Sequence, residues 1–249
     1  MKRNDIKVRI HRVHSGQSLE PGQEVTIDGQ AAHYLGRVLR LTVNDAVVLF
    51  NGDGHDYATD WVRAEKGAVR LRVTSRAPAV RESPVSITVV QAISRGERMD
   101  QTLQKCTELG AAGFQPLVSE RVEVKVKADK LEKRMAHWQG VVVSACEQSG
   151  RAVVPPVRPP LDFRDWLGTD AGNQRLVLAP GARTPLAQVP VRGPVEIVTG
   201  PEGGFSESEF EQMVAHGAKP VSLGPRILRT ETAAPAAMAV IQALAGDFA

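Results

Sequence analysis

The chain has 249 residues, of which 42% are hydrophobic and 24% charged, values typical of a soluble globular protein. No apolar run approaches the roughly 18 residues of a membrane span, and the amino-terminal stretch "MKRNDIKVRI" lacks the apolar core of a signal peptide. Because Cys106 and Cys146 are too few for a disulfide framework or a four-ligand zinc site, we expect a cytoplasmic protein that contacts no membrane.

The formal net charge of +3 lies in the amino-terminal third of the chain. Residues 1–76 carry 12 basic and 9 acidic side chains, whereas residues 77–249 carry 19 of each. This excess hints at a polyanionic partner, because nucleic-acid affinity depends largely on the neutralisation of phosphates. Ordinary surface charge is the alternative reading.

Residues 1–76 alternate short β-rich runs with turns. The runs are "EVTIDG", "DAVVLFNGDG", "YATDWVRAEKG" and "AVRLRVTSR", and they are bounded by Gly, Asn and Asp. "NGDG" at 51–54 predicts a hairpin, since these residues tolerate positive φ. Between the early strands, Tyr34, Val38 and Leu41 share one helical face. We therefore predict a small β-barrel with one short helix.

Residues 77–84 form a polar, proline-containing linker, after which strands alternate with helices over residues 85–249. The near-continuous apolar run "VSITVVQAIS" predicts a strand buried on both faces. Met99, Leu103, Cys106 and Leu109 form the apolar stripe of one helix, and a longer helix begins at Asp129. Further strands are predicted at "FQPLVSE", "RLVLAP", "VEIVTG" and "KPVSLGPRIL". This alternation indicates an α/β domain with a mainly parallel sheet.

The loop "TGPEGGF" at 199–205 follows one of these buried strands, where α/β sheets bind ligands. It fails the Walker pattern, because no lysine follows its glycines, and it fails the dinucleotide pattern G-x-G-x-x-G. Ser206 and Glu209 have the spacing of a capping box and open a helix. Since Glu202 would repel a phosphate, we expect a ligand that is neutral or cationic beside it. A tight glycine turn without a ligand is the alternative.

A second stretch, "SLGPRILRTETAAPAAMAV" at 222–240, repeats the order of strand, Gly-Pro, polar loop and helix. Pro235 lacks an N–H and fits the first positions of a helix, so we predict Thr232 as the N-cap. Arg229, Thr230 and Glu231 then lie in the loop, free to face a ligand. A surface ion pair between these charges is the alternative.

Ordered motifs along the whole chain resemble the bacterial 16S rRNA (uridine-N3)-methyltransferase family, RsmE, of the SPOUT class. The motifs are "HYLGRVLR" (33–40), "QAISRGERMDQTLQKCTELG" (91–110), "ACEQSGRAVVP" (145–155) and the pair "TGPEGGFSESE" and "LGPRILRTETA". The motifs follow one another in the same order as in the family, which makes the resemblance specific. The carboxy-terminal pair of motifs is its most diagnostic part.

The resemblance implies an RNA-binding, PUA-like β-barrel over residues 1–76 and a SPOUT domain over residues 85–249. It also implies that the end of the SPOUT domain is threaded into a trefoil knot, which periodicity cannot predict. The implied methyl donor is S-adenosylmethionine, and two subunits are expected to pair. The implied substrate is one uridine in the decoding region of 16S rRNA, methylated at N3, so the 30S ribosomal subunit is the expected partner. Because the sulfonium of the cofactor is positively charged, the Glu202 carboxylate is tolerable beside it, whereas the same carboxylate would not be tolerable beside a phosphate.

Carried over position by position, the family pattern assigns the two cofactor loops. The implied cofactor-binding residues are Leu178, Thr199, Gly200, Pro201, Gly203, Leu223, Gly224, Ile227, Leu228 and Thr230. The glycines would let the backbone approach the adenosine closely.

Methylation at N3 of uridine requires removal of a proton that lies between two carbonyls. We predict that Arg229 stabilises the negative charge on O2 or O4, because a guanidinium is a fixed cation. Glu231 is the preferred general base and Glu202 the second candidate, although either carboxylate could instead orient the cofactor.

Five arginines are candidates for rRNA phosphate contacts: Arg37, Arg40, Arg63, Arg70 and Arg72. The histidines show no ligand spacing, so we expect no metal site. Cys106 and Cys146 fall on apolar helical positions and are predicted to be core residues. Two alternatives to the rRNA enzyme remain: a SPOUT methyltransferase acting on another RNA such as tRNA, and a non-catalytic rRNA-binding assembly factor. The intact loops argue against the second.

Overall fold

The structure is a computed structural model that describes residues 11–38, 41, 45–123, 128–169 and 172–248. The chain divides into two compact units. One comprises Met1–Glu82 and Cys146–Val154, and the other comprises Ser83–Ala145 and Pro155–Ala249. The predicted domain limits, 1–76, 77–84 and 85–249, stay a prediction.

The first unit is built on a five-stranded sheet with the strand order β1-β3-β4-β5-β2. Its strands are β1 (His11–His14), β2 (Glu24–Asp28), β3 (Val47–Phe50), β4 (His55–Glu65) and β5 (Ala68–Pro78). β1 pairs with β3 in parallel, and the other pairs are antiparallel. Between β3 and β4, Gly52 and Gly54 have φ of 93° and 83°, so the hairpin predicted at "NGDG" is confirmed.

The core of this unit gathers alternating side chains from all five strands, including Val13, Val25, Leu49, Trp61 and Leu71. A short helix α1 (Gly29–His33) runs directly into a π-helical turn, Tyr34–Val38. Tyr34, which the sequence places on one helical face with Val38 and Leu41, is 45% exposed, whereas Leu35 is buried. The wider π turn changes the phase at which successive side chains meet the core.

The segment Cys146–Val154, which contains most of the motif "ACEQSGRAVVP", is tied into the first unit by charged groups. The Arg151 guanidinium donates from Nε and Nη2 to Oε2 of Glu82, at 3.0 and 2.5 Å. The backbone N–H of His14 donates to Oε1 of Glu147 at 3.0 Å. Burial raises the pKa of the Glu147 carboxyl. This motif therefore has a structural role.

The second unit contains a six-stranded sheet with the order β11-β9-β10-β6-β7-β8, and all its strand pairs are parallel. Its strands are β6 (Ile87–Ala92), β7 (Gly113–Val118), β8 (Leu161–Asp162), β9 (Gln174–Leu178), β10 (Val195–Thr199) and β11 (Lys219–Val221). β6 and β10, both entirely buried, lie side by side at the centre, as their apolar runs predicted.

The remaining elements are α2 (Arg98–Glu108), α3 (Ala128–Ser149), α4 (Phe163–Leu167), a 3₁₀ turn (Leu186–Gln188), α5 (Glu207–Ala215) and α6 (Thr230–Ala245). Met99, Leu103 and Cys106 of α2 are buried, which confirms the predicted stripe for these residues, while its last member, Leu109, is the C-cap and is half-buried. α6 packs against α2 and β10. None of the helices in the described part of the chain has the length and apolar character that a membrane crossing requires.

The prediction that Thr232 caps the last helix is wrong. The carbonyl of Arg229 accepts hydrogen bonds from the N–H groups of Thr232 and Ala233, both at 2.9 Å, so α6 begins at Thr230 with Arg229 as its N-cap. Pro235 is the sixth residue of this helix. A proline at this position removes only the bond to the Glu231 carbonyl, and the surrounding turns hold the helix. Thr230 and Glu231 therefore lie in the first turn of α6, while Arg229 precedes it.

The architecture confirms a mixed α/β protein with a parallel sheet. Among the described residues, β1 and β2 are the two edge strands of the sheet in the first unit and do not pair with each other. Closure of this sheet into a barrel therefore stays a prediction. The trefoil knot also stays a prediction.

Candidate functional site

A cavity of about 900 Å³ lies in the second unit, at the carboxyl ends of β9, β10 and β11. Leu178, Thr199 and Val221 are the last residues of these three strands and line it. The rest of the wall comes mainly from a first loop, residues 200–206, and a second loop, residues 222–229. The volume falls within the range of small-molecule sites, and the carboxyl edge of a parallel sheet is where such ligands bind.

Every residue predicted to bind the cofactor lines this cavity: Leu178, Thr199, Gly200, Pro201, Gly203, Leu223, Gly224, Ile227, Leu228 and Thr230. The three predicted catalytic residues, Arg229, Glu231 and Glu202, line it as well. The structure thus brings together two segments that are separated in the sequence, while the role of each residue stays a prediction.

The first loop is folded tightly against its own backbone. A Cβ added at Gly200 would lie 3.2 Å from the Gly204 Cα and from the Phe205 nitrogen, and Gly204 has a φ of 67°. The loop ends at the N-cap of α5, where Ser206 and Glu209 form the predicted capping box. The capping box satisfies N–H groups at the start of α5. Those groups are therefore already hydrogen-bonded at the end of the loop. Gly200 is required by the turn itself, besides any approach of a ligand.

A buried glutamine lies beneath both loops and joins them. Gln91, 1% exposed at the end of β6, donates from Nε2 to the Gly200 carbonyl at 3.4 Å and to the Thr230 hydroxyl at 2.9 Å. The Thr230 hydroxyl donates to the same Gly200 carbonyl at 2.9 Å. This network fixes the first residue of α6 against the first loop. The predicted Thr230 therefore has a loop-bridging contact as well as a position on the cavity wall.

Glu202 is a paired carboxylate. Its Oε1 accepts hydrogen bonds from the Arg95 backbone N–H at 2.9 Å and from the Arg98 guanidinium at 2.6 Å. Partial burial alone would raise the pKa of Glu202. The hydrogen bonds lower it by more, so the pKa lies below its ordinary value. A carboxylate with these partners is a weak proton acceptor.

Glu231 has a different environment from Glu202. Its Oε2 is buried without a hydrogen-bond partner among the described residues, and its closest charged neighbour is the Arg98 Nε at 3.8 Å. A carboxylate oxygen without a donor retains its capacity to accept a proton or to hold a ligand. The two base candidates are therefore distinguished by their contacts, and the geometry favours Glu231.

Thr199 places an unsatisfied hydroxyl at the floor of the cavity. The residue is 3% exposed, and its Oγ1 has no partner within the described parts of the chain. Buried hydroxyls in folded proteins are nearly always hydrogen-bonded, so an orphan at the edge of a cavity indicates a place where a ligand supplies the missing partner.

Three arginines of the cavity wall are not among the predicted site residues: Arg98 in the first turn of α2, Arg121, which follows β7, and Arg226 in the second loop. Arg98 is paired with Glu202 and lies near Glu231. Arg121 donates from Nη1 to the Gly203 carbonyl at 2.9 Å. Arg98 and Arg121 follow strands of the parallel sheet, so the rule that ligands bind at carboxyl ends could have found them.

The arginines predicted to contact RNA lie in the first unit, where most of them are paired. Arg63 donates to Glu65 at 2.6 Å, and Arg72 donates to its cross-strand partner Glu24 at 2.7 Å. Arg70 lies 3.4 Å from Glu65 and 3.8 Å from Glu24. Arg37 is exposed in the π turn, and Arg40 lies outside the described residues.

The remaining candidates are as follows. Cys106 and Cys146 are free and buried, and burial raises the pKa of the Cys146 thiol to about 11, as expected of core residues. Among the residues that the structure describes, no group of three His, Cys, Asp or Glu side chains is arranged to hold a metal ion.

Two protein families match this chain, each over a different part of it. A family described as "RNA methyltransferase domain" matches residues 81–242, which include every cavity residue named above. A family described as "RNA methyltransferase PUA domain" matches residues 27–74, which include the end of β2, all of β3 and β4 and most of β5.

Two solved structures and one further relative are similar to this chain over nearly its whole length. A Legionella pneumophila protein in complex with the cofactor SAM is 39% identical, with a TM-score of 0.92, covering 97% of this chain and 100% of that one. A ribosomal RNA small subunit methyltransferase E from Neisseria gonorrhoeae, bound to S-adenosyl methionine, is 39% identical with the same coverage and a TM-score of 0.90. The protein of the same name from Buchnera aphidicola is 31% identical over 98% of this chain and 100% of its own.

Proposed function

Since the chain belongs to the ribosomal RNA small subunit methyltransferase E family, we propose that it methylates N3 of one uridine in the decoding region of 16S rRNA. The methyl donor in this proposal is S-adenosylmethionine, which is bound in the relative from Neisseria gonorrhoeae. The observation that carries the proposal is the meeting in one cavity of the glycine-rich loop with Arg229 and the unpartnered carboxylate oxygen of Glu231.

The cavity suits this cofactor on chemical grounds. Leu178, Leu223 and Leu228 offer apolar contacts to a nucleobase, while the Thr199 hydroxyl lacks a partner. The carboxylates of Glu202 and Glu231 favour a cationic ligand, with the charge of Glu202 partly offset by Arg98. When bound, the cofactor supplies an electrophilic methyl group on its sulfonium.

The protein's own contribution to the reaction is made by two residues. Glu231 accepts the proton from N3 of the uridine, because its Oε2 has no competing donor among the described residues. Arg229 faces the negative charge that develops on O2 or O4, and a guanidinium stays charged throughout. The nitrogen lone pair released by proton removal then forms the new bond to the methyl group, whose bond to the cofactor sulfur would break, with S-adenosylhomocysteine as the leaving group. Glu202, paired with Arg98, holds the first loop in place.

The remaining elements of the proposal concern the partners of the chain. The PUA-like region binds rRNA, the 30S subunit is the substrate, and the protein acts in the cytoplasm as a homodimer. The trefoil knot in the second unit is part of the same proposal and follows from the family resemblance.

The proposal is tested by incubating the protein with labelled S-adenosylmethionine and, in parallel, with 30S subunits, naked 16S rRNA or tRNA. We expect label in 30S subunits or 16S rRNA and none in tRNA. Label confined to tRNA would establish a methyltransferase with a different acceptor. Binding of 16S rRNA without label in any of the three samples would establish a non-catalytic assembly factor.

A further inference from the structure

The arginines of the cavity wall differ in how their charge is balanced. Arg98 lies beside two carboxylates, those of Glu202 and Glu231. Arg121 has no ion pair with any of the described residues, and its one hydrogen bond goes to the neutral Gly203 carbonyl. A guanidinium carries five N–H donors, so most of those on Arg121 are unused and its charge is uncompensated.

The position of Arg121 is fixed from two sides. The N–H of the preceding residue, Glu120, donates at 2.8 Å to Oε1 of Glu209, whose Oε2 completes the capping box of α5. The Arg121 side chain itself lies against Gly203, where an added Cβ would meet its Cβ at 3.5 Å and its Cδ at 3.6 Å. The segment after β7 is thereby held against the first loop and the start of α5. An exposed arginine held in this way loses less side-chain entropy when it binds a ligand.

We propose that Arg121 forms a phosphate subsite for the acceptor RNA at the rim of the cavity. The inference rests on the proposed function, since it takes RNA as the acceptor. A uridine whose N3 approaches Glu231 and Arg229 carries a phosphate on each side of its ribose, and these phosphates lie outside the base pocket. A guanidinium with free, parallel N–H donors binds a phosphate in bidentate geometry. Arg121 is thus a substrate-binding residue, distinct from the groups that act on the base.

The test variant is Arg121→Gln, because glutamine keeps a polar N–H donor but carries no charge. We expect the Kd for naked 16S rRNA to rise about tenfold, since the lost bond is charge-assisted. The slope of log Kd against log salt should flatten by about 0.7 to 0.9, the value of one phosphate contact. Arg121→Lys should restore most of the affinity. The matched control is Arg192→Ala. Arg192 is an exposed arginine in the loop before β10, at the amino ends of the strands and therefore at the opposite end of the sheet from the cavity.

Three outcomes would overturn the inference. An unchanged Kd for 16S rRNA would remove Arg121 from the RNA contact. An equal loss in Arg192→Ala would show a general effect of surface charge. A fall in calorimetric affinity for S-adenosylmethionine in Arg121→Gln would assign Arg121 to holding the first loop. Because RNA binding is measured without methyl transfer, these results are distinct from failure of the proposed function, in which the unmodified protein labels no rRNA.

Discussion

The sheet of the first unit pairs several of its charged residues with one another, whereas the cavity of the second unit, besides its Glu202–Arg98 pair, leaves several charged groups without a partner among the described residues. In the sheet, Arg72 donates to Glu24, and this hydrogen bond holds the pKa of the Glu24 carboxyl below its ordinary value. In the cavity, Arg121 and Arg229 have no carboxylate partner among the described residues, and Glu231 has an oxygen without a donor. Paired charges satisfy one another, whereas charges without partners retain their full capacity for a ligand. We therefore infer that the groups without partners are the ones that act on the substrate.

The largest expected effect concerns the unpartnered carboxylate. Glu231→Gln keeps the shape of the side chain but removes its ability to accept a proton, so we expect kcat to fall by about 10³-fold, within the range for a lost general base. Single-turnover transfer of label to 16S rRNA measures the effect. Glu202→Gln is the matched control on the paired carboxylate and should retain most of kcat. A larger loss in Glu202→Gln would reverse the assignment.

The next effect is that of Arg229→Ala, which removes a cation facing the reacting base. Loss of one such group lowers kcat by about 10²-fold, and we expect the affinity for S-adenosylmethionine to be unchanged. Calorimetric titration with the cofactor supplies the second readout. If cofactor affinity falls in parallel with activity, Arg229 belongs to the binding of the cofactor.

Thr199→Val tests the orphan hydroxyl with a side chain of nearly the same shape. We expect about tenfold weaker cofactor binding, because one hydrogen bond to the ligand is lost. The free protein should be slightly more stable, since the substitution removes a buried polar group without a partner. Thermal unfolding with and without the cofactor measures both effects. A destabilised free protein with unchanged cofactor affinity would show that the hydroxyl has only a structural role.

Glu202 has a smaller, pH-dependent effect on stability. Because its pKa is lowered in the folded chain, Glu202 contributes stability that is present above its ordinary pKa and is lost as the pH falls through the lowered value. The contribution is under about 1 kcal/mol, since the pair is partly exposed. Denaturant unfolding at pH 7 and in acid should show that Glu202→Gln and the unmodified protein converge in acid. A constant difference across the pH range would contradict this.

The smallest effect is expected in the sheet. Arg72→Gln removes an arginine whose charge is balanced by Glu24, so the Kd for 16S rRNA should change by less than about twofold, in line with the low energies of exposed ion pairs. Filter binding at two salt concentrations measures it. A loss as large as that of Arg121→Gln would show that the sheet pairs open to contact RNA, and the comparison between the two units would fail.

The sequence predicted those features that depend on local pattern. The buried run of β6, the stripe of α2 and the capping box at Ser206 and Glu209 were all confirmed, because each follows from residue spacing alone. The cavity residues were identified through family motifs. The start of α6 differs from the proline-based prediction, because Gln91 and the Gly200 carbonyl anchor Thr230 at the first position of the helix.

What remained hidden from the sequence is the pairing of charged groups across distant segments. Glu202 lies 104 positions from its partner Arg98, and Arg121 lies 82 positions from Gly203. Such pairings are set by strand order in the sheet, which residue spacing does not encode. The relative merits of Glu202 and Glu231 as a base could therefore be judged only from the structure.

The most direct test of the account is the identity of the modified nucleoside. 16S rRNA lacking the modification is incubated with S-adenosylmethionine and either the unmodified protein or Glu231→Gln, then digested to nucleosides and analysed by mass spectrometry against synthetic standards. The account predicts N3-methyluridine, mapped to a single position in the decoding region, with the unmodified protein and almost none with Glu231→Gln. A methyl group on another atom or base, or equal amounts of product from both proteins, would contradict it.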